Sequence, residues 1–373
     1  MTLTTEPTIV QLDEIIAELD GADRARFDRL FQVGVTYGQL VPPEEMKPWI
    51  TKQFGSVEAT VNQKIVRVTN NVTLDGVLFN WIRSSRPMWR APIDLDMELE
   101  RLNGSDPLGH PLVGTPEDVF GRIHGRYCVT ASNIAKFDGY HGLVVFNERH
   151  PLRWRREHVH DYVDTAWEWA KLAHATDPNA IYYMFIWNCL WRAGASLLHG
   201  HAQMILGRDV HYAAVEKLRR AALLYQASFR TNYFEDLYRA HRALGIGFER
   251  ADGVRVLANL TPVKENEVLL IEPNARDMTG PLKDALYDVL ACYRDRLGAT
   301  SFNVAIYQPP IDKNGENGQE NWEGFPVVVR IVDRGDPTSR TADIGAMELY
   351  AASVVSSDPF KVSAALRESV GST

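Results

Sequence analysis

The chain has 373 residues, 45% of them hydrophobic and 24% charged, ample for a large core in one large domain or two smaller ones. Its formal net charge of -8 gives no basic face of the kind a duplex or RNA binder carries, so no nucleic acid partner is expected, although local arginines still allow a small anionic ligand. Cys128, Cys189 and Cys292 make neither a CxxC zinc knuckle nor a disulfide framework, and no stretch approaches about 20 uninterrupted apolar residues. The N-terminus has no basic stretch leading into an apolar run, so the expectation is a cytoplasmic, reducing setting with no membrane partner.

Residues 9 to about 55 read as helical. Ile9, Leu12, Ile15, Ile16 and Leu19 recur at helical spacing up to Gly21, and a second helix carries Phe27, Leu30, Phe31 and Val35 before Pro42-Pro43 breaks the pattern. This segment, residues 1–58, is expected to be an added N-terminal helical extension that serves packing or dimer contact. From about residue 60 the texture turns to strands: 64–69 alternates in polarity and 77–82 is apolar. Residues 94–116 are rich in Gly and Pro. Strands follow at 127–131 and 143–146 with a turn at Asp138-Gly139, then a helix over 158–174, strands over 182–187 and 196–206, and a helix over 215–244.

The second half repeats this order, with strands at 254–259 and 267–271, a helix over 281–297, and strands at 302–307 and 326–332. The letters run parallel too: VTASNIAKFDGYHGLVVFNE from Val129 against VLANLTPVKENEVLLIEP from Val256, each a strand, an Asn, a turn, a strand and an acid. The pattern predicts an α+β fold made of two copies of one unit, residues 59–230 and 231–373, each an antiparallel sheet with packed helices.

One strand carries the chemistry. On a strand, residues i, i+2 and i+4 share a face, so His199, His201 and Gln203 are expected to point the same way. A bare HxH reads equally as a core histidine or half a metal site. Here Asn188 stands eleven residues before His199, and Gly194-Ala195-Ser196 makes a small-residue turn able to bring backbone N–H groups and the Ser196 hydroxyl close to phosphate oxygens. Neutral imidazole is a good nucleophile at phosphorus, and a hydrogen bond at Nδ1 fixes the tautomer so that Nε2 attacks. Gln203 can donate to a phosphate oxygen but cannot protonate a leaving group, which favours transfer over hydrolysis.

The segment NCLWRAGASLLHGHAQ, residues 188–203, resembles the active-site segment of galactose-1-phosphate uridylyltransferases, in the histidine-triad superfamily, whose pattern is Asn, a Gly-x-Ser turn, then HPHxQ; Gly200 stands where proline is usual. The resemblance implies a duplicated histidine-triad-like fold, His201 as the uridylylated nucleophile, Gln203 as its phosphate-binding partner, and Asn188 and Ser196 as phosphate or hexose-phosphate contacts. NVTLDGVLFNWIRSSRPMW, residues 71–89, is similar to an early family segment whose two arginines fall on Arg83 and Arg86; two guanidinium groups three residues apart suit a diphosphate. Asn133 lies where the family has an asparagine near the nucleotide. DIGAMELYAASVVSSDPFKVSAALRE, residues 343–368, looks like the family's C-terminal stretch, with Glu348 on its acid. The likeness runs from about residue 60 to the C-terminus.

The pattern also breaks. Many members bind zinc through CxxC and two histidines; here the loop reads SDPLGH, residues 105–110, without cysteine. The two histidine positions correspond to His150 and His199, with Asp106 or His110 available to complete a site. The alternative is that His199 hydrogen-bonds within the site and no cofactor is required. The second half has FPVVVRIVDRG, residues 325–335, in place of an HxH strand. By resemblance the partners are a nucleoside-diphosphate sugar and a sugar phosphate, with UDP-glucose and galactose 1-phosphate the default pair, and a homodimer is implied because the family is often dimeric. Two other readings compete: a phosphorylase of dinucleoside polyphosphates or of ADP- or GDP-sugars, and a non-catalytic nucleotide binder.

Overall fold

The computed structural model describes residues 7–84, 94–102, 105–312, 320–339 and 342–370. Among them the strands run in chain order as β1 (Phe31–Gln39), β2 (Asn62–Asn70), β3 (Gly76–Asn80), β4 (Cys128–Ser132), β5 (Tyr140–Phe146), β6 (Ala180–Cys189), β7 (His201–Arg208), β8 (Gly247–Glu249), β9 (Arg255–Ala258), β10 (Glu265–Glu272), β11 (Phe302–Tyr307), β12 (Val327–Asp333) and β13 (Ser353–Val355). They form a four-stranded sheet, β1-β2-β3-β13, and a nine-stranded sheet, β4-β5-β7-β6-β11-β12-β10-β9-β8. Every neighbouring pair in the large sheet is antiparallel; in the small one β13 runs parallel to β3. The architecture is α+β, with helices packed on the sheets.

The large sheet forms because its strands are nearly continuous apolar runs, as a strand covered on both faces requires. The helix Arg156–Thr176 covers one face with Val159, Tyr162, Val163, Ala166, Trp169, Ala170 and Ala173, a stripe at three- and four-residue spacing. Beneath it, the Phe146 ring lies flat on Tyr162, centroids 3.7 Å apart, and both meet Trp187 edge-on. This face takes Val144 and Phe146 of β5 and Ala202 and Met204 of β7. Alternation then sends His201 and Gln203 to the opposite face, beside their register partners Val145 and Leu143. The loop that supplies Leu108 packs over that second face against Val129, Ala131 and Val145.

Three expectations need correction. The second N-terminal helix stops at Leu30, and Phe31–Gln39 is a strand paired residue for residue with β2, so residues 1–58 are not a helical extension throughout. Gly34 and Gly38 are poor helix formers, and Val33, Val35, Thr36 and Tyr37 favour a pleated surface. The long helix over 215–244 is two helices, Ala213–Phe229 and Tyr233–Ala243, broken at Arg230, whose φ of 58° is left-handed; Asn232 then caps the second by accepting from the backbone N–H groups of Phe234 and Glu235. The strand expected over 196–206 begins only at His201. No helix among the described residues is long and apolar enough to cross a membrane.

Candidate active site

His201 is the first residue of β7 and is buried. Its Nδ1 lies 2.8 Å from the carbonyl oxygen of His199. A carbonyl can only accept, so Nδ1 carries the proton and Nε2 keeps its lone pair. Burial is the largest influence on this imidazole and pulls its pKa below the ordinary histidine value, helped by the charge of His199; the carbonyl of His199 and the carboxylate of Asp106 act the other way.

His199 sits in the bend before the strand and uses both ring nitrogens. Nδ1 is 2.8 Å from Asp106 Oδ2 and Nε2 is 2.8 Å from the carbonyl of Phe146. The Phe146 carbonyl can only accept, so Nε2 donates to it, and Nδ1 is engaged by Asp106. Asp106 is buried and held in turn: its Oδ1 accepts the backbone N–H of Leu108 at 3.0 Å, and the Arg149 guanidinium approaches Oδ2 at 3.5 Å. Between the two histidines Gly200 has no room for a side chain, because a Cβ would lie 2.7 Å from the Phe146 ring and 3.2 Å from the carbonyl of Glu148. Its N–H also donates to the carbonyl of Arg149 at 3.0 Å, a bond proline cannot make. Glycine at this position therefore follows from the local geometry.

Two carboxamides share the face of the sheet that carries His201. Gln203 is two residues along the strand, and its Oε1 is 2.9 Å from Nε2 of the fully buried His141. His141 Nδ1 accepts the backbone N–H of Phe137 at 3.0 Å, so the proton is on Nε2 and the ring donates to Gln203. Burial, first, and the nearby Lys136 pull the His141 pKa down, against the Gln203 hydrogen bond and Asp118. The second carboxamide is Asn188 on β6. Ile186 pairs with Gln203, the last pair of this ladder, so Asn188, two residues on along β6, faces the same side of the sheet. Its Oδ1 accepts from Asn303 Nδ2 of β11 at 2.7 Å.

The remaining expected residues are more dispersed. Asn133 lies beside His141, its Nδ2 3.2 Å from the ring Nε2, and its Oδ1 accepts the N–H of Ala135. Ser196 is exposed in the bend leading to His199. Arg83 is exposed on the short helix Trp81–Ser84. Burial raises the Glu348 pKa, but the backbone N–H groups of Glu348 and Gly345, then the charges of Lys264 and Arg83, hold it below the usual carboxylate range. Arg86 lies outside the described residues.

A zinc site does not fit these residues. Both ring nitrogens of His199 are engaged, by Asp106 and by the Phe146 carbonyl. His150 Nδ1 accepts the N–H of Leu152, and His110 is exposed. Among the described residues no group of three or more His, Cys, Asp or Glu side chains is arranged to hold a metal ion.

Sequence reasoning missed His141 and Asn303, and weighed Asp106 only as a metal ligand. Nothing local marks them, since their partners lie 62, 115 and 93 residues away in the chain. The strand register alone brings them in.

By sequence, no protein-family model and no curated protein matches this chain. Solved structures do. An ADP-glucose phosphorylase from Arabidopsis thaliana with bound ADP-glucose superposes with a TM-score of 0.57 at 15% identity, over 80% of this chain and 96% of that one. A GALT-like protein from the same plant gives 0.55 at 14% identity, over 71% and 92%. A uridylyltransferase gives 0.54 at 13%, over 69% and 88%. At such identities the likeness is one of fold, and the chain has the fold shared by these uridylyltransferase and nucleotide-sugar phosphorylase structures.

Proposed function

We propose that this chain is a nucleotidyl transferase in which Nε2 of His201 carries a nucleotidyl group between two phosphorylated partners. The observation that carries the reading is the bond from His201 Nδ1 to the His199 carbonyl, which leaves Nε2 bare on the face that also holds Gln203 and Asn188. In the first half-reaction the Nε2 lone pair attacks the α-phosphorus of a nucleoside-diphosphate sugar. The bond from phosphorus to the bridging oxygen breaks, and the sugar phosphate leaves with that electron pair. In the second, a phosphate oxygen of the acceptor attacks phosphorus and the P–N bond breaks, returning its pair to Nε2. Nδ1 keeps its proton throughout, and the carbonyl of His199 stabilises the positive ring of the intermediate. A nitrogen held poorly basic by burial also leaves phosphorus readily.

Gln203 and Asn188 donate to the transferred phosphate, and Ser196, Asn133, Arg83 and Arg86 are proposed around the donor. No proton donor stands in the place of Gln203, which suits exchange between phosphates over hydrolysis. No metal takes part in this scheme. The symmetric strand order about the β6–β11 pair supports a duplicated histidine-triad-like unit. Matching Leu143↔Gln203 with Leu269↔Arg330, and Val145↔His201 with Ile271↔Val328, puts Arg330 at the place of Gln203 and Val328 at that of the nucleophile, so each chain carries one nucleophile.

The default pair is UDP-glucose and galactose 1-phosphate. Initial-rate kinetics test this with UDP-, ADP- and GDP-glucose, each against galactose 1-phosphate and against inorganic phosphate. Parallel double-reciprocal lines are expected, and the productive acceptor separates a sugar-phosphate transferase from a phosphorylase. Rapid release of nucleoside monophosphate without any acceptor would contradict the transferase reading.

A further inference from the structure

The two carboxamides on the face of His201 present a problem that neither can solve alone. A carboxamide has a donor end and an acceptor end of nearly equal size. A phosphate oxygen can only accept, so each amide helps only if its NH2 end faces the phosphate. For both amides the structure supplies a donor that fixes which end is which.

On one side the fixed point is a backbone N–H. Phe137 donates to His141 Nδ1 at 3.0 Å, which leaves the ring proton on Nε2. That proton meets Gln203 at 2.9 Å, so the atom of Gln203 there must be its oxygen. On the other side the fixed point is a guanidinium. Arg334 NH1 donates to Asn303 Oδ1 at 2.7 Å, and Arg334 is itself tied to Asp343 at 2.7 Å. The Nδ2 of Asn303 then divides its two hydrogens between the Ala193 carbonyl at 2.8 Å and Asn188 at 2.7 Å, so Asn188 must offer its oxygen. Each chain of bonds ends with an amide whose oxygen is occupied. No partner for Gln203 Nε2 or Asn188 Nδ2 stands among the described residues.

We infer that His141 and Asn303 are positioning residues that set the polarity of Gln203 and Asn188, so that both NH2 groups face the phosphate carried at His201. This rests on the reading of His201 as a phosphate-binding nucleophile. It also makes the site depend on the second half of the chain, since Asn303 and Arg334 belong to β11 and to the residues after β12. The second half has no nucleophile of its own, yet through Asn303 it orients a ligand-facing group of the first.

Double-mutant cycles test this, read in two ways: the rate of nucleotidyl adduct formation by intact mass with UDP-, ADP- and GDP-glucose, and the affinity for UMP, AMP and GMP by calorimetry. Gln203→Ala should slow adduct formation on the order of 10²-fold, as loss of one preorganised donor does elsewhere. His141→Phe keeps an aromatic ring but has no donor, and is expected within a few-fold of Gln203→Ala. The double variant should be no worse than the worse single, because both changes remove one contact. His141→Gln, which restores a side-chain N–H, should regain most of the rate. Asn303→Leu and Asn188→Ala form the second cycle with the same expectation, and they carry the test if His141→Phe does not fold in a thermal melt. Multiplicative losses in both cycles, or a His141→Phe enzyme as fast as wild type, would overturn the inference. Coupling seen in monophosphate affinity with no adduct in wild type would sustain it while removing the covalent mechanism. A wild-type protein that neither forms adducts nor binds monophosphates would remove both.

Discussion

His199 and Asp106 meet at 2.8 Å, Nδ1 against Oδ2, although 93 residues separate them in the chain. Both side chains are buried, and the other end of the imidazole is closed by the Phe146 carbonyl. The pair ties the loop over the sheet to the residue whose carbonyl fixes His201. Removing one member of a buried hydrogen-bonded pair strands the other. Asp106→Ala is therefore expected to destabilise the fold by about 3 kcal/mol, with Asp106→Asn less damaging because it keeps an oxygen for the Leu108 N–H. Urea denaturation of the three proteins checks this, and equal midpoints would show that the pair does not hold the loop.

Gly200 gives a second test. An alanine there puts a Cβ 2.7 Å from the Phe146 ring, which cannot easily move because it lies flat on Tyr162. Overpacking of this kind costs about 1–3 kcal/mol. Proline adds the loss of the N–H bond to Arg149 and should cost more than alanine. Thermal melts of Gly200→Ala and Gly200→Pro should fall in that order below wild type. A proline variant as stable as wild type would mean that this turn tolerates a ring where the Cβ and N–H geometry excludes one.

Stability should depend on pH through two histidines outside the candidate site. Burial pulls His211 and His241 down to about 4, from 6.5 when exposed. Between those values the unfolded chain binds more protons than the folded one. The stabilising contribution is thus fully present above about pH 6.5 and is lost as pH falls towards 4, by about 3 kcal/mol per histidine. His201 is shifted in the same direction and adds to the slope. Urea midpoints measured from pH 7 to 4.5 should decline, with proton uptake on unfolding; a flat profile would contradict the burial of these rings as neutral groups.

Much of this was legible in the letters, for a physical reason. The strands of the large sheet are covered on both faces, so each reads as an apolar run, and the helix Arg156–Thr176 shows its stripe at helical spacing. His201 and Gln203 stood out because nucleophile and donor lie on one strand at period two. β1 did not, because the apolar spacing of Phe27, Leu30 and Phe31 carries across the helix end, and its Tyr37 side is exposed at a sheet edge. His141, Asn303 and the true partner of His199 were hidden because hydrogen bonds between distant strands leave no local pattern.

The rate of nucleotidyl transfer should keep its neutral-pH value down to below the ordinary histidine range. His201 must be unprotonated at Nε2 to attack, and burial, the largest cause, lowers its pKa from 6.5. The acid limb of the pH–rate profile should therefore have its midpoint under 6.5. A midpoint above that value would place His201 in a wetter or more acidic setting than the structure gives it.

The most direct test of the central claim is the intact mass of the protein after incubation with UDP-, ADP- and GDP-glucose, alongside His201→Ala. The account predicts an added nucleoside monophosphate on the wild-type chain from one of these donors, discharged by an acceptor phosphate and absent from the variant. An adduct that survives in His201→Ala, or none from any donor on a folded wild-type protein, would contradict His201 as the carrier.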